Sequence, residues 1–228
     1  MESKSNLNQL KNFYYAIDSA LATNSHYRRD IETVPVAVGT DAGYLLIEQR
    51  IGESKLQRLI KDCKKELPFH KRHGGFDSRF GEDYEPTFSD VDLYLTNPHN
   101  IVQIRHALNS LGYHAPNNKS LESKGYAVFL NKNVDPVKVE VMVKTKNNHV
   151  RPNSSKSIDT VLPHDGNIDA YTTRLDNMQN LLFIEPIALA NRLTSDIAIA
   201  NEKKDNVPIK MFQDLHIMSN YVLKGEKI

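Results

Sequence analysis

Two short stretches with period-two alternation constrain this chain most. In Asp90-Val91-Asp92-Leu93-Tyr94-Leu95 the acidic side chains fall on one face of an extended segment, and Val91, Leu93 and Leu95 on the other. From Val137 to Lys144 the alternation is stricter. Val137, Val139, Val141 and Val143 share one face; Lys138, Glu140, Met142 and Lys144 share the other. Period two reads as strand, not helix. If the two strands are neighbours in register, Glu140 comes beside Asp90 and Asp92. Carboxylates brought that close repel one another unless a cation sits among them. A hard ion such as Mg²⁺ or Mn²⁺ suits an all-oxygen donor set, and substrate phosphates and waters complete its shell. Two such ions would hold the attacking and leaving oxygens of a phosphoryl transfer in line.

A second feature lies upstream, in His73-Gly74-Gly75-Phe76-Asp77-Ser78-Arg79-Phe80. Glycine lets a phosphate approach the backbone, and successive amides there form an anion nest. A helix starting at Phe76 would add its dipole, Ser78 a hydroxyl and Arg79 a charge. The acidic stretch 81–88 reads as a loop, with Asp83 or Glu85 as outlying metal candidates. Singly, each feature is ordinary. Asp-x-Asp is common in turns and exposed strands, Gly-Gly in turns, and Glu140 between two lysines fits a solvated strand face. Their order and alternation together point to a site.

In that order, Gly74-Gly75, strand Asp90-x-Asp92 and strand Glu140 resemble the nucleotidyltransferase superfamily, which has the fold of DNA polymerase beta. The gap from Gly75 to Asp90 is longer than usual, and Ser89 stands where an apolar residue is usual. The C-terminal end resembles the abortive-infection (AbiEii-like) toxin nucleotidyltransferases. Glu185-Pro186-Ile187-Ala188-Leu189-Ala190-Asn191-Arg192 and Lys210-Met211-Phe212-Gln213-Asp214-Leu215 fill slots similar to that group's two helices, with Arg192 where Lys is usual. The resemblance implies that Arg192 and Lys210 reach the nucleotide phosphates; the plain alternative is two packing helices with surface charges.

The rest of the chain frames these stretches. At 228 residues it can hold one large domain or two small ones. Lys and Arg number 29 against 28 Asp and Glu, so bulk charge does not call for nucleic acid, and any basic surface is local. One such surface would be Lys144, Lys146, Arg151 and Lys156, in the polar segment 144–170 that follows the Glu140 strand; a solvated loop is the other reading. A single cysteine, Cys63, forms no internal disulfide, fits a reducing compartment and sits in an apolar helical stripe. With no apolar run of membrane-spanning length and no signal-peptide core at residues 1–5, the expected home is the cytoplasm, without a membrane partner.

Helical spacing runs from Asn6 to about Thr23, from Glu53 to Leu67, and from Pro98 to Leu111, where Asn97 caps and Gly112 ends the helix. Val36-Ala37-Val38 reads as a short strand, Gly43–Ile47 as strand or helix, and Gly125–Leu130 as a strand that turns into the Glu140 strand as a hairpin. Beyond Tyr171 the texture is helical, with Ile187, Ala190, Leu193, Ile197 and Ala200 on one helix face. Phe212, Leu215, Ser219 and Val222 line the last helix, and Gly225 ends it.

The sequence therefore predicts an α+β fold: a small mixed-sheet nucleotidyltransferase core with flanking helices over 1–170, then a C-terminal helical subdomain over 171–228. The expected activity is Mg²⁺-dependent transfer of a nucleoside monophosphate from an NTP to a hydroxyl on an RNA end, a protein or a small molecule. Asp90, Asp92 and Glu140 hold the metal, and Gly74, Gly75, Ser78, Arg79, Arg192 and Lys210 hold the nucleotide. The group resemblance implies toxin-like activity and a neutralising antitoxin partner. Two alternatives stand: a non-catalytic binding module on the same fold, and a metal-dependent nuclease, which needs no triphosphate cradle.

Overall fold

The computed structural model describes residues 6–31, 33–66, 88, 90–116, 125–143, 170–203, 205–207 and 209–225. It is a mixed α/β structure. Six strands form one sheet in the order β3-β4-β2-β1-β6-β5. They are β1 (Val36–Ala37), β2 (Asp90–Leu95), β3 (Tyr126–Leu130), β4 (Lys138–Val143), β5 (Thr172–Thr173) and β6 (Leu182–Ile184). The α-helices among the described residues are α1 (Leu7–Ala22), α2 (Thr40–Ile51), α3 (Glu53–Glu66), α4 (Ile101–Ser110), α5 (Pro186–Glu202) and α6 (Ile209–Lys224).

Local chemistry explains where several helices begin. Asn6 and Gln9 cap α1 reciprocally, each side chain accepting from the other's backbone N–H. Asn97 accepts from the His99 amide and starts a short 3₁₀ turn, Pro98–Asn100, that runs into α4. The apolar stripe of α1 packs edge-on against two other elements. The Phe13 ring centroid lies 5.5 Å from that of Tyr113, and Tyr14 lies 4.9 Å from Phe183. Gly43 marks where α2 passes close to α5 and α6, since a Cβ there would stand 2.5 Å from Leu189 and 3.1 Å from Met218.

The expected strand pairing is present. β3 and β4 form the antiparallel hairpin, and β2 lies parallel to β4 with Asp92 opposite Glu140. β2 and β4 are interior strands of the sheet, not an edge. Both of their faces are largely covered, so Glu140 and Met142 are buried although their alternation resembles a solvated face. The ambiguous stretch around Gly43–Ile47 is helix. The sheet also crosses residue 170. β6, from the segment read as helical approach, pairs parallel with β1 and binds the C-terminal part into the same sheet.

Two helix faces differ from their apolar pattern. On α6 the buried residues are Gln213, Asp214, Ile217, Met218 and Tyr221, while Phe212 and Val222 are exposed. On α5 Ile187 is exposed, and Arg192 and Asp196 are buried. In both, polar side chains occupy positions that hydropathy assigns to solvent. The stripe of Leu56, Leu59, Ile60 and Cys63 on α3 is buried as its spacing predicts. Among the described residues no helix is long and apolar enough to cross a membrane.

Burial pushes the Cys63 thiol up to about 11. At pH 8 the folded protein should therefore react with iodoacetamide at least a hundredfold more slowly than the chain unfolded in urea, since the thiolate is the nucleophile. Mass spectrometry after timed quenching measures both rates.

Candidate functional site

Asp90, Asp92 and Glu140 each offer an oxygen within 4.8 Å of the others. The strands dictate this. Asp90 and Asp92 share a face of β2, and parallel register places Lys138 opposite Asp90 and Glu140 opposite Asp92. Asp92 and Glu140 are buried, and Asp90 is partly exposed. Three carboxylates so placed, two of them buried, can hold a metal ion. An all-carboxylate set matches a hard divalent cation and lacks the nitrogen or sulfur donors that would select zinc or copper. The Lys138 ammonium lies 2.8 Å from Asp90 Oδ2 and 3.1 Å from Glu140 Oε1.

A cavity of about 250 Å³ opens beside the aspartates, lined also by Gly39, Thr40, Asp41, Phe88, Arg192 and Lys210. β1 delivers the first of these. Val38 continues its pairing, its amide donating to the Asp92 carbonyl at 2.9 Å, and the chain then turns at Gly39 into α2. A Cβ on Gly39 would stand 2.1 Å from Asp41 Oδ1, so any larger residue there would displace the Asp41 carboxylate. The first turn of α2, which carries the positive end of the helix dipole, thus begins at the cavity.

The C-terminal helices supply a second wall. Lys210 Nζ donates to Asp214 Oδ2 at 2.9 Å and to Thr40 Oγ1 at 3.2 Å, and it stands 5.3 Å from the centre of the Phe88 ring. Asp214 also accepts from the Tyr44 hydroxyl at 2.9 Å. Arg192 has a different character. It is 5% exposed, its Nη1 donates to the Val38 carbonyl, and its Nε lies 3.5 Å from Asp196 Oδ2. Its guanidinium pins the end of β1 where the chain enters Gly39. Glu185 opens α5 and makes a two-pronged ion pair with Arg50 at 2.7 and 2.8 Å, fastening α5 to the end of α2.

Of the residues singled out from sequence, Asp90, Asp92 and Glu140 come together, and Arg192 and Lys210 line the adjoining cavity. Gly74, Gly75, Ser78 and Arg79 lie outside the described residues, as do Asp83, Glu85, Lys144, Lys146, Arg151 and Lys156. Sequence reasoning missed Gly39, Thr40 and Asp41. The signal was present: an apolar run, Val36-Ala37-Val38, is followed at once by glycine and then by two residues that favour helix starts.

Asp41 adds a fourth carboxyl behind the triad. It is 1% exposed and accepts from the Tyr14 hydroxyl at 2.5 Å. Burial pushes its carboxyl up to about 7; the negative charges of Asp92 and Asp90 push the same way, and the Tyr14 hydrogen bond opposes them. Burial and the Asp41 charge hold the Tyr14 hydroxyl well above its ordinary range. Comparison of the chain with protein families, curated proteins and solved structures found no match.

A carboxyl raised in the folded state contributes stability below its unfolded value, near 4, and loses it as pH rises through about 7. In EDTA, metal-free protein should therefore lose stability across that window, by as much as about 4 kcal/mol from this group. Asp41→Asn should flatten that loss. Urea melts at half-unit pH steps measure it, and a wild-type slope retained in the variant would assign the loss elsewhere.

Proposed function

We propose that this chain is a Mg²⁺-dependent nucleotidyltransferase, moving a nucleoside monophosphate from an NTP to an acceptor hydroxyl. The observation that carries the reading is the convergence of Asp90, Asp92 and Glu140, with both aspartates lining one cavity together with the glycine-led start of α2. Phosphoryl transfer needs little covalent help from the protein; it needs alignment and a positive field around the phosphates. Acids alone would serve a nuclease equally. The helix start and Lys210, facing the same cavity, favour a substrate with a polyphosphate tail.

Asp90 and Asp92 hold the metal, and Glu140 completes the site and accepts the proton of the acceptor hydroxyl. A divalent ion bound there supplies Lewis-acid polarisation of the phosphate oxygens. The acceptor oxygen bonds to the α-phosphorus as the α–β bridging bond breaks, and pyrophosphate leaves with the bond's electron pair. The backbone amides of Gly39 and Thr40 at the start of α2, with the Lys210 ammonium, cradle the departing phosphates. Gly74, Gly75, Ser78 and Arg79 are proposed to complete the cradle. Arg192 acts by positioning, since it anchors the carbonyl before Gly39. An RNA end, a protein or a small molecule would provide the hydroxyl. The resemblance to abortive-infection enzymes extends the reading to toxin-like action restrained by an antitoxin protein, in the cytoplasm.

Asp92→Asn keeps the side chain's shape and removes an anionic ligand. Transfer of label from radiolabelled NTP into cell extract should fall at least a hundredfold, while melting in EDTA stays level or rises, because crowded carboxylates repel. Full activity in the variant would remove Asp92 from the mechanism. Mg²⁺ with an NTP should also raise the melting temperature of the wild type more than Mg²⁺ alone, and no shift with any NTP would count against the nucleotide site.

Lys210 and Arg192 separate by their stability. Lys210→Ala should weaken NTP binding about tenfold and lower stability by about 1–3 kcal/mol, since Asp214 loses one of its donors. Arg192→Ala should cost more, about 3–5 kcal/mol, because it removes a buried ion-pair partner from Asp196 and the donor to the Val38 carbonyl. Urea melts paired with nucleotide titrations test both. An Arg192→Ala protein of unchanged stability would contradict the anchoring role.

A further inference from the structure

We propose that Lys138 serves as the built-in second cation of the acidic site, so that the carboxylates take one divalent ion rather than two. The inference deepens the metal reading above and rests on it. Lys138 and Glu140 alternate onto one face of β4, and parallel pairing sets them opposite Asp90 and Asp92. The ammonium touches two of the three carboxylates, at 2.8 Å from Asp90 and 3.1 Å from Glu140. Both distances are those of charge-assisted hydrogen bonds.

Charge matching then limits the metal count. Three carboxylates are neutralised by one ammonium and one divalent ion, and a second divalent ion would leave the group with net positive charge. It would also share the Asp90 and Glu140 carboxylates with the ammonium, and like charges at such range repel. The lysine is held by an interior strand two residues from Glu140, so its anchor does not move away from the site. Its side chain is 33% exposed, which leaves room for substitution without opening the core. In sequence the residue passes as one of two lysines flanking a glutamate; register gives it a partner on the neighbouring strand.

Manganese provides the test, because bound and free Mn²⁺ differ in their electron paramagnetic resonance signal. The full chain, without nucleotide, is titrated with Mn²⁺ as wild type, Lys138→Gln, Lys138→Met and Lys138→Arg, with Asp92→Asn assigning the signal to this site. The expected wild-type result is one Mn²⁺ per chain, lost in Asp92→Asn. Lys138→Gln and Lys138→Met should bind the ion at least fivefold more tightly or take a second one. Lys138→Arg, which keeps the charge, should stay within fivefold of wild type with one ion. Two ions in the wild type, or neutral variants with one ion and less than fivefold tightening, overturn the assignment, as does an arginine variant that behaves like the neutral ones. The wild-type count stands even if a variant fails to fold. Two wild-type ions with an intact NTP-dependent melting shift sink the lysine's role alone. One ion without any such shift sinks the nucleotidyltransferase reading alone, and no Mn²⁺ binding at millimolar concentration sinks both.

Discussion

Parallel pairing of β2 with β4 is the constraint on which the site depends. It sets Asp92 against Glu140 and Asp90 against Lys138 in the interior of the sheet. A slip of one residue would turn Glu140 to the opposite face and bring Val139 or Val141 beside the aspartates. What prevents the slip is apolar. Val91, Leu93, Val139 and Val141 are fully buried, and a one-residue slip of either strand would turn its apolar set out of that core to the face that carries the carboxylates. The sheet core thus enforces a cluster of like charges that electrostatics alone would disperse. Lys138 offsets part of that repulsion from within the same register.

The cavity wall depends on a second set of buried polar contacts, from the other end of the chain. Arg192 on α5 anchors the Val38 carbonyl, and Lys210 and Asp214 on α6 reach Thr40 and Tyr44 on α2. These bonds join the turn at Gly39 to both C-terminal helices. Residues far apart in sequence therefore fix the position of one helix start relative to the aspartates, to which Val38 is already tied by its pairing with Asp92. With β6 lying against β1, the C-terminal segment is part of the structure that builds the site.

How much of this was legible in the sequence follows from what each signal measures. Alternation at Asp90–Leu95 and Val137–Val143 reports side-chain faces directly, and the strands and the triad came from it. It says nothing of how many strands lie to either side, so the interior placement of β2 and β4 was not readable. α1, α3 and α4 were legible because their buried faces are apolar, and α1 and the turn leading into α4 also carry capping side chains. The face of α6 was not, because Gln213 and Asp214 face inward, and hydropathy places such residues outside. The lone glycine at position 39 is a weaker signal than the Gly74-Gly75 pair. A single glycine carries meaning only once the strand before it and the helix after it are known, and β1 is just two residues long.

Those failures share a cause that bears on function. Arg192, Asp196, Asp214 and Asp41 are each 5% exposed or less, and all four line the cavity beside the aspartates. Burying charge is unfavourable unless partners compensate, and a buried ion pair is often no more stable than an apolar replacement. Stability alone therefore gives little reason to place four such groups around one small space. Their partners are specific: Tyr14 for Asp41, Tyr44 and Lys210 for Asp214, and Arg192 for Asp196. Each bond also fixes a side chain or a backbone carbonyl next to the carboxylate triad. The positions where apolar patterning misreads α5 and α6 are thus positions where the fold gives up packing for preorganised charge, as expected of a site built to bind a charged ligand.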